Sequence, residues 1–181
     1  MIIILEENLS LGLKTVFVRG AIEAFHAAFN RFPFLTQTCP VDYLTLDQAM
    51  QISQGAVSAA RVANYKPMGI VILDASGQLM AFVREDGASM FRFDIARGKA
   101  WGAVGMGSSS RALAERAKDN PNFFVALAAT AEGKFLPQPG AVLIKDADGL
   151  ILGAAGASGG TGDEDELICI AGIHSAGLVA G

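Results

Sequence analysis

The stretch GIVILDASGQLMAFVR, residues 69–84, decides the fold. A short β-branched apolar run leads into the turn-forming residues Asp74-Ala75-Ser76-Gly77, and a second strand-like run follows them. This order is typical of a β-hairpin, in which two neighbouring strands pair antiparallel. The stretch AVLIKDADGLILGAA, residues 141–155, repeats the form around the turn Asp146-Ala147-Asp148-Gly149. The sequence therefore predicts two hairpins and an antiparallel sheet.

Helix-forming segments lie before, between and after the two hairpins. Thr45 and Gln48 form a capping box before a helix predicted over 46–64. Thr161 and Glu164 form a second capping box before a last helix, which we predict to run to the end of the chain. The three helices predicted between the hairpins span residues 90–106, 109–118 and 123–128. The expected fold class is therefore α+β, an antiparallel sheet of about four to five strands flanked by helices.

Length and composition indicate one main domain. The chain has 181 residues, of which 51% are hydrophobic and 18% charged, and this balance is typical of a buried core. Residues 1–42 are predicted to form an N-terminal helical extension and linker, because apolar residues recur at helical spacing as far as residue 29 and two prolines follow. Residues 43–181 are predicted to form the main domain.

Charge and segment lengths exclude several kinds of partner. The net charge of −4 provides no basic surface for nucleic acid or an acidic membrane. The sequence shows neither a run of about 20 apolar residues nor a basic-flanked signal segment before Glu6 and Glu7. Cys39 and Cys169 are far apart and lack metal-ligand spacing, as is typical of thiols in a reducing compartment. We therefore expect a cytoplasmic protein with no metal site and no nucleic-acid or membrane partner.

Charged residues gather where the first hairpin ends. The segment Arg84-Glu85-Asp86-Gly87-Ala88 places a guanidinium and two carboxylates beside a glycine turn, and loops at strand ends often carry function. Asp94 and Lys99 follow on the next predicted helix. A buried pair of Arg84 with an aspartate, at the border of a pocket, would orient a carboxylate-bearing ligand through bidentate hydrogen bonds. The alternative is that these charges form the solvated face of an amphipathic helix.

The glycine-rich segment Gly156-Ala157-Ser158-Gly159-Gly160 matches the pattern G-x-S-x-G of a nucleophile elbow. That motif needs a parallel strand before its helix and later strands that carry an acid and a histidine, whereas only a predicted helix with His174 follows here. The acidic residues 163–166 fill the first turn of that helix, where they complement the helix dipole and would repel a phosphate. We therefore interpret the segment as a loop that turns the chain from strand into helix.

Seven short motifs follow one another in a specific order. They are LTLDQA (44–49), VILDASG (71–77), REDGA (84–88), DIARGKA (94–100), FLPQPG (135–140), GAAGASGGT (153–161) and DE (165–166). Together they resemble the GlcG/HbpS-like haem-degrading domain family, which is also found as the C-terminal part of PduO proteins. The resemblance implies a profilin-like layered sandwich and assembly into dimers or higher homo-oligomers.

The resemblance also implies a ligand and the residues that would bind it. Several members of the family bind haem or break it down slowly, and others are accessory proteins of catabolic operons. The signature positions of the family are occupied in this chain by Arg84, Asp86, Asp94, Lys99, Phe135, Gly159 and Gly160, which are the candidate ligand-binding residues. We expect Arg84 to pair with an acid group of the ligand, and Phe91 and Phe135 to supply apolar walls.

Three functions stay open at this point. The leading hypothesis is a small-molecule-binding protein, for which the resemblance implies haem as the cofactor. The alternative is an accessory enzyme of a catabolic operon that acts on a small carboxylate metabolite, with Asp86 or Asp94 as general base beside Lys99. A non-catalytic assembly subunit is the third hypothesis, and it predicts that a deep pocket is absent.

Overall fold

Residues 43–181 are described by the structure, which is a computed structural model. Cys39, His26 and the predicted extension over 1–42 lie outside the described residues. Within 43–181 the elements follow in the order α1 (Leu46–Val62), β1 (Gly69–Asp74), β2 (Leu79–Arg84), α2 (Phe91–Met106), α3 (Ser110–Asp119), α4 (Pro121–Thr130), β3 (Ala141–Lys145), β4 (Ile151–Ser158), α5 (Gly162–Ser175) and β5 (Val179–Ala180). The helices and hairpins thus alternate as the sequence predicts.

The strands form one antiparallel sheet in the spatial order β2-β1-β4-β3-β5. Both predicted hairpins, β1–β2 and β3–β4, are confirmed. They join where β1 pairs with β4, from Gly69 opposite Ser158 to Asp74 opposite Gly153. The α+β fold class and the strand number are therefore confirmed, and β4 lies at the centre of the sheet.

The two hairpin turns use the same chemistry. Asp74 Oδ1 accepts the backbone N–H groups of Ser76 and Gln78, each at 2.8 Å. Asp146 Oδ1 likewise accepts the N–H groups two and four residues further on, at 2.9 and 2.8 Å. Gly77 and Gly149 close the turns with φ of +75° and +87°, a conformation that only glycine adopts without steric cost.

Alternating side chains of the sheet build a separate core on each face. Ile70 and Ile72 of β1 point to the face covered by α1 and α5, whereas Val71 and Leu73 point to the face covered by α2. This period of two is what an antiparallel strand buried on both faces requires. A third, smaller core, which includes Leu113 and the side chains that pack against it, joins α3 and α4 to the loop before β3.

Both predicted capping boxes are present. Thr45 accepts the N–H of Gln48 at the start of α1, and Thr161 accepts the N–H of Glu164 at the start of α5. The prediction that the last helix runs to the end of the chain is wrong. Helix α5 ends at Ser175 because Gly177 adopts a left-handed φ of +73°, and the chain then forms the edge strand β5.

Glycines allow the helices to lie very close to their neighbours. A Cβ on Gly172 of α5 would collide with the backbone carbonyl of Ile52 in α1. A Cβ on Gly156 of β4 would collide with the carbonyl of Ala96 in α2. No helix in the described part of the chain is both long and apolar enough to cross a membrane.

Candidate ligand pocket

The pocket begins where the central strand β4 turns into helix α5. Ser158 is the last residue of β4, and Thr161 is the N-cap of α5. Between them, Gly159 passes so close to the backbone of Pro67 and Met68 that a Cβ would collide there. The glycine-rich segment is therefore a strand-to-helix loop, as the sequence predicts, and it is held against the end of the sheet.

A buried ion pair holds this loop in place. Lys99 of α2 is 5% exposed and Asp165 of α5 is 2% exposed. The Lys99 Nζ donates to Asp165 Oδ2 at 2.8 Å and to the carbonyl of Ala157 at 3.1 Å, and Asp165 Oδ1 accepts the N–H of Gly160 at 3.0 Å. Both carboxylate oxygens are thus occupied, which is the condition under which a buried ion pair is tolerated. The pair connects α2, β4 and α5 at one point.

An open cavity of about 600 Å³ lies over this ion pair, within the range of about 300–1,000 Å³ that is usual for small-molecule sites. Its walls come from the first half of α2, the loop before β3, the end of β4 and the first turn of α5. The lining residues are Arg92, Ile95, Lys99, Leu136, Gln138, Pro139, Ser158, Gly160, Gly162, Asp163 and Asp165. The cavity lining is therefore mixed, with apolar side chains beside charged ones.

Arg92, in the first turn of α2, crosses from the helix to the end of β4. Its Nη1 donates to the Ser158 hydroxyl oxygen at 3.3 Å. Its Nε is buried and has no hydrogen-bond partner among the described residues. A buried charged donor is normally satisfied, so this unpaired N–H is an exception among the residues that line the cavity.

Two other acidic groups at the start of α5, Asp163 and Glu166, are paired with one arginine of α3. Arg111 of α3 donates its Nε–H to Glu166 at 2.6 Å and also forms an ion pair with Asp163. The hydrogen bonds to Glu166 and Asp163 raise the pKa of Arg111 above its ordinary value. Asp163, which lines the cavity, is therefore already neutralised by a cation of α3.

The structure separates the seven sequence-predicted binding residues. Lys99 and Gly160 line the cavity, and Gly159 lies directly behind it. Phe135 is buried in the third core, where its ring centroid is 5.8 Å from that of Phe124. The residues that are exposed and outside the cavity lining are Arg84, Asp86 and Asp94.

The contacts of these residues in the structure also differ from the pairings that the sequence predicted. Within the described residues, no salt bridge joins Arg84 to an aspartate. The carboxylate that contacts Lys99 is Asp165, and Asp94 lies on an exposed position of the same helix as Lys99. The apolar wall comes from Ile95, Leu136 and Pro139, whereas Phe91 is 60% exposed and does not line the cavity.

Sequence reasoning missed Arg92, which lies between two phenylalanines near the start of α2. It also assigned no binding role to Ser158, which lay in a rejected motif and in a family motif, or to Asp165, which lay in the acidic first turn and in a family motif. His174 lies in the last turn of α5, at the other end of the helix from Ser158, and is exposed. The rejection of a serine nucleophile therefore agrees with the geometry.

The candidate metal ligands within residues 43–181 do not form a cluster. Cys169 is a free, fully buried thiol in α5, and its burial raises its pKa well above the ordinary value. Within residues 43–181, no three His, Cys, Asp or Glu side chains form a group that could hold a metal ion. None of the residues that line the cavity is a His, Cys, Met or Tyr.

These features define an α+β domain with a mixed polar and apolar cavity of small-molecule size. The family model described as "Haem degrading protein HbpS-like" matches residues 44–174. The chain belongs to this HbpS-like family, and the resemblance found in its motifs is confirmed. No match appears among curated protein sequences.

Solved structures share the fold. A PduOC:heme complex is 26% identical with a TM-score of 0.67, covering 75% of this chain and 96% of that one. A double mutant of HbpS from Streptomyces reticuli is 26% identical with a TM-score of 0.64, covering 77% and 90%. The protein ORFY from Klebsiella pneumoniae is 22% identical with a TM-score of 0.68, covering 78% and 95%, and this likeness supports the fold alone.

Proposed function

We propose that this protein binds a haem-type tetrapyrrole or a similar flat molecule with carboxylate groups, in the cavity between α2 and α5. Membership of the HbpS-like family and the likeness to a PduOC:heme complex support this ligand class. The observation that carries the proposal is the cavity itself. Its lining combines the apolar side chains of Ile95, Leu136 and Pro139 with the cations Arg92 and Lys99.

Only part of a haem molecule fits this lining. The guanidinium of Arg92, which contacts no carboxylate among residues 43–181, suits a propionate carboxylate of haem. The iron normally takes His, Met, Cys or Tyr as an axial ligand, and none of these residue types lines the cavity. The lining therefore fits the acid groups and the flat apolar body of haem, but not its iron.

Titration with haemin tests the proposal. The Soret band should shift saturably with micromolar protein, and the fluorescence of Trp101, the only tryptophan, should be quenched in parallel. Protoporphyrin IX, which lacks iron, should bind with similar affinity because the cavity supplies no axial ligand. Absence of saturable binding by either porphyrin would contradict the proposed function. Strong binding of haemin alone would show that iron is ligated by residues outside this cavity.

The proposal extends to location and assembly. We propose a homo-oligomer, as the family resemblance implies, and a cytoplasmic location, as the widely spaced cysteines indicate. Two neighbouring apolar side chains, Met90 at 71% and Phe91 at 60% exposure, support a contact surface beside α2. Light scattering of the full chain should therefore give a multiple of 18.8 kDa, and a mass of 18.8 kDa at micromolar concentration would contradict assembly.

A further inference from the structure

Among the described residues, the charged groups that line the cavity are paired with one exception. Lys99 is paired with Asp165, and Asp163 is paired with Arg111. Arg92 is within salt-bridge distance of no carboxylate among the described residues. Within residues 43–181, Arg92 is therefore the one cavity cation without a counter-ion.

The position of Arg92 is fixed at both ends of its side chain. Its Cβ lies against Gly69 of β1 so closely that a Cβ on this glycine would collide with it. At the other end, its Nη1 contacts the hydroxyl of Ser158 at 3.3 Å. The guanidinium is therefore held in place before any ligand enters, which lowers the entropy cost of binding.

The donors of Arg92 exceed the acceptors around it. A guanidinium has five N–H donors in a planar fork, and the Nε–H is buried without a partner among residues 43–181. The Ser158 oxygen accepts one N–H, and its own O–H is free to donate to a further acceptor. A carboxylate offers two oxygens in the geometry that this fork and hydroxyl require.

We infer that Arg92 and Ser158 form a carboxylate-binding subsite that receives one acid group of a flat, apolar ligand. The body of the ligand lies on Ile95, Leu136 and Pro139, which face the same cavity. With Asp163 and Asp165 nearby, a cation that has no counter-ion within residues 43–181 favours a monovalent carboxylate over a doubly charged phosphate. The inference rests on the proposed function for the choice of cavity, but it extends to aromatic carboxylic acids that are not porphyrins.

Benzoate is the probe, because it combines one carboxylate with a flat apolar ring. In the full chain labelled with ¹⁵N, the Nε–H signal of Arg92 is identified by its loss in Arg92→Lys. Titration with benzoate should shift this signal saturably at millimolar concentration. Benzamide, which has the same shape without the charge, should leave it unchanged, and inorganic phosphate should shift it less than benzoate does.

Variants show whether benzoate is bound by the specific geometry of Arg92 and Ser158 or only attracted by positive charge. Arg92→Lys should weaken benzoate binding about tenfold or more, because an ammonium cannot replace the planar fork. Ser158→Ala keeps the guanidinium and should weaken binding about threefold, as expected for the loss of one neutral hydrogen bond. Arg97→Lys is the matched control, since this arginine of the same helix lies over the Phe93 ring, 5.9 Å from its centroid, and outside the cavity lining. It should leave benzoate binding unchanged.

Each outcome decides between the two proposals. An Arg92 signal that does not move, equal binding of benzamide, or unchanged affinity in Arg92→Lys overturns the subsite. Urea unfolding of each variant, followed by Trp101 fluorescence, shows whether it is folded, and Ser158→Ala provides the test if Arg92→Lys is not. Benzoate binding together with no binding of haemin or protoporphyrin IX would remove the proposed porphyrin function and keep the subsite. Porphyrin binding without any response of the Arg92 signal would keep the proposed porphyrin function and remove the subsite.

Discussion

The two hairpins are closed by the same turn but end in different surroundings. Strand β2 lies at the edge of the sheet, and only Ala81 among its residues is fully buried. Strand β4 lies between β1 and β3, and every residue after Ile151 is buried. The charged group at the end of β2, Arg84, is solvated, whereas the end of β4 borders the ion pair and the cavity. The position of a strand in the sheet, more than the charge at its end, decides where a binding site can form.

Burial also determines which side chains each strand can use. Helices approach β4 from both faces, so its central part is the small-residue run Gly153-Ala154-Ala155-Gly156-Ala157. Strand β2 has room for Leu79 and Phe82, whose ring lies edge-on to Phe93 at a centroid distance of 4.8 Å. Because α2 and α5 both pack closely against β4, on opposite faces of the sheet, Lys99 reaches Asp165 at the end of this strand.

The largest expected effect comes from breaking the ion pair at the end of β4. Lys99→Met leaves the Asp165 carboxylate buried without a counter-ion, and this should lower the free energy of unfolding by about 3–5 kcal/mol. Urea denaturation measures the change. Arg84→Met, at the end of β2, should change the same quantity by less than about 0.5 kcal/mol because its side chain is exposed.

A double variant separates the cost of an unpaired charge from the loss of the pair itself. Lys99→Met combined with Asp165→Leu leaves no buried charge, so most of the lost stability should return. Equal losses in the single variants at Lys99 and Arg84 would contradict the contrast between the two strand ends.

A smaller effect is expected from closing the space between β4 and α2. Gly156→Ala places a methyl group against the carbonyl of Ala96, and overpacking of this kind costs about 1–3 kcal/mol. Gly105→Ala is the control, because a Cβ at this exposed helical position meets nothing within 4 Å. It should raise stability by up to about 1 kcal/mol in thermal unfolding, since alanine is the better helix former. Destabilisation of the same size in both variants would exclude tight packing as the cause.

The smallest effect is expected at the turns, where the two hairpins are alike. Asp74→Ala and Asp146→Ala each remove an oxygen that accepts two backbone N–H groups at an exposed turn. Each should lower the free energy of unfolding by about 0.5–1.5 kcal/mol. Similar losses in urea denaturation would confirm that the hairpins differ in their strand positions and not in their turns. A loss at only one turn would contradict this.

Local signals in the sequence predicted the elements of the fold. The turn residues around Asp74 and Asp146 identified both hairpins, and the capping boxes at Thr45 and Thr161 fixed two helix starts, because each signal acts within four residues. The end of α5 was not predicted because the sequence does not show the backbone angles of Gly177. Without its positive φ, this residue cannot be distinguished from a glycine inside a helix. The fold class was therefore predictable from local patterns.

The site was less predictable because its contacts are distant in the sequence. Arg92 and Ser158 are 66 residues apart, as are Lys99 and Asp165. The sequence does not show which hairpin strand is central, so the charged end of β2 was the more informative candidate for a site, and the glycine-rich end of β4 was interpreted as a loop. The sequence motif that contained Lys99 includes a residue that lines the cavity. The motif that contained Arg84 lies instead at the edge of the sheet.

The pairing of β1 with β4 also affects the order in which the chain folds. Each hairpin closes locally, on a timescale of about 1–10 μs for an isolated hairpin. Pairing of β1 with β4 instead closes a loop of roughly 80 residues that contains α2, α3 and α4, and such distant pairing is slow. The hairpins are therefore expected to form early and separately, and their docking along the centre of the sheet to limit the folding rate.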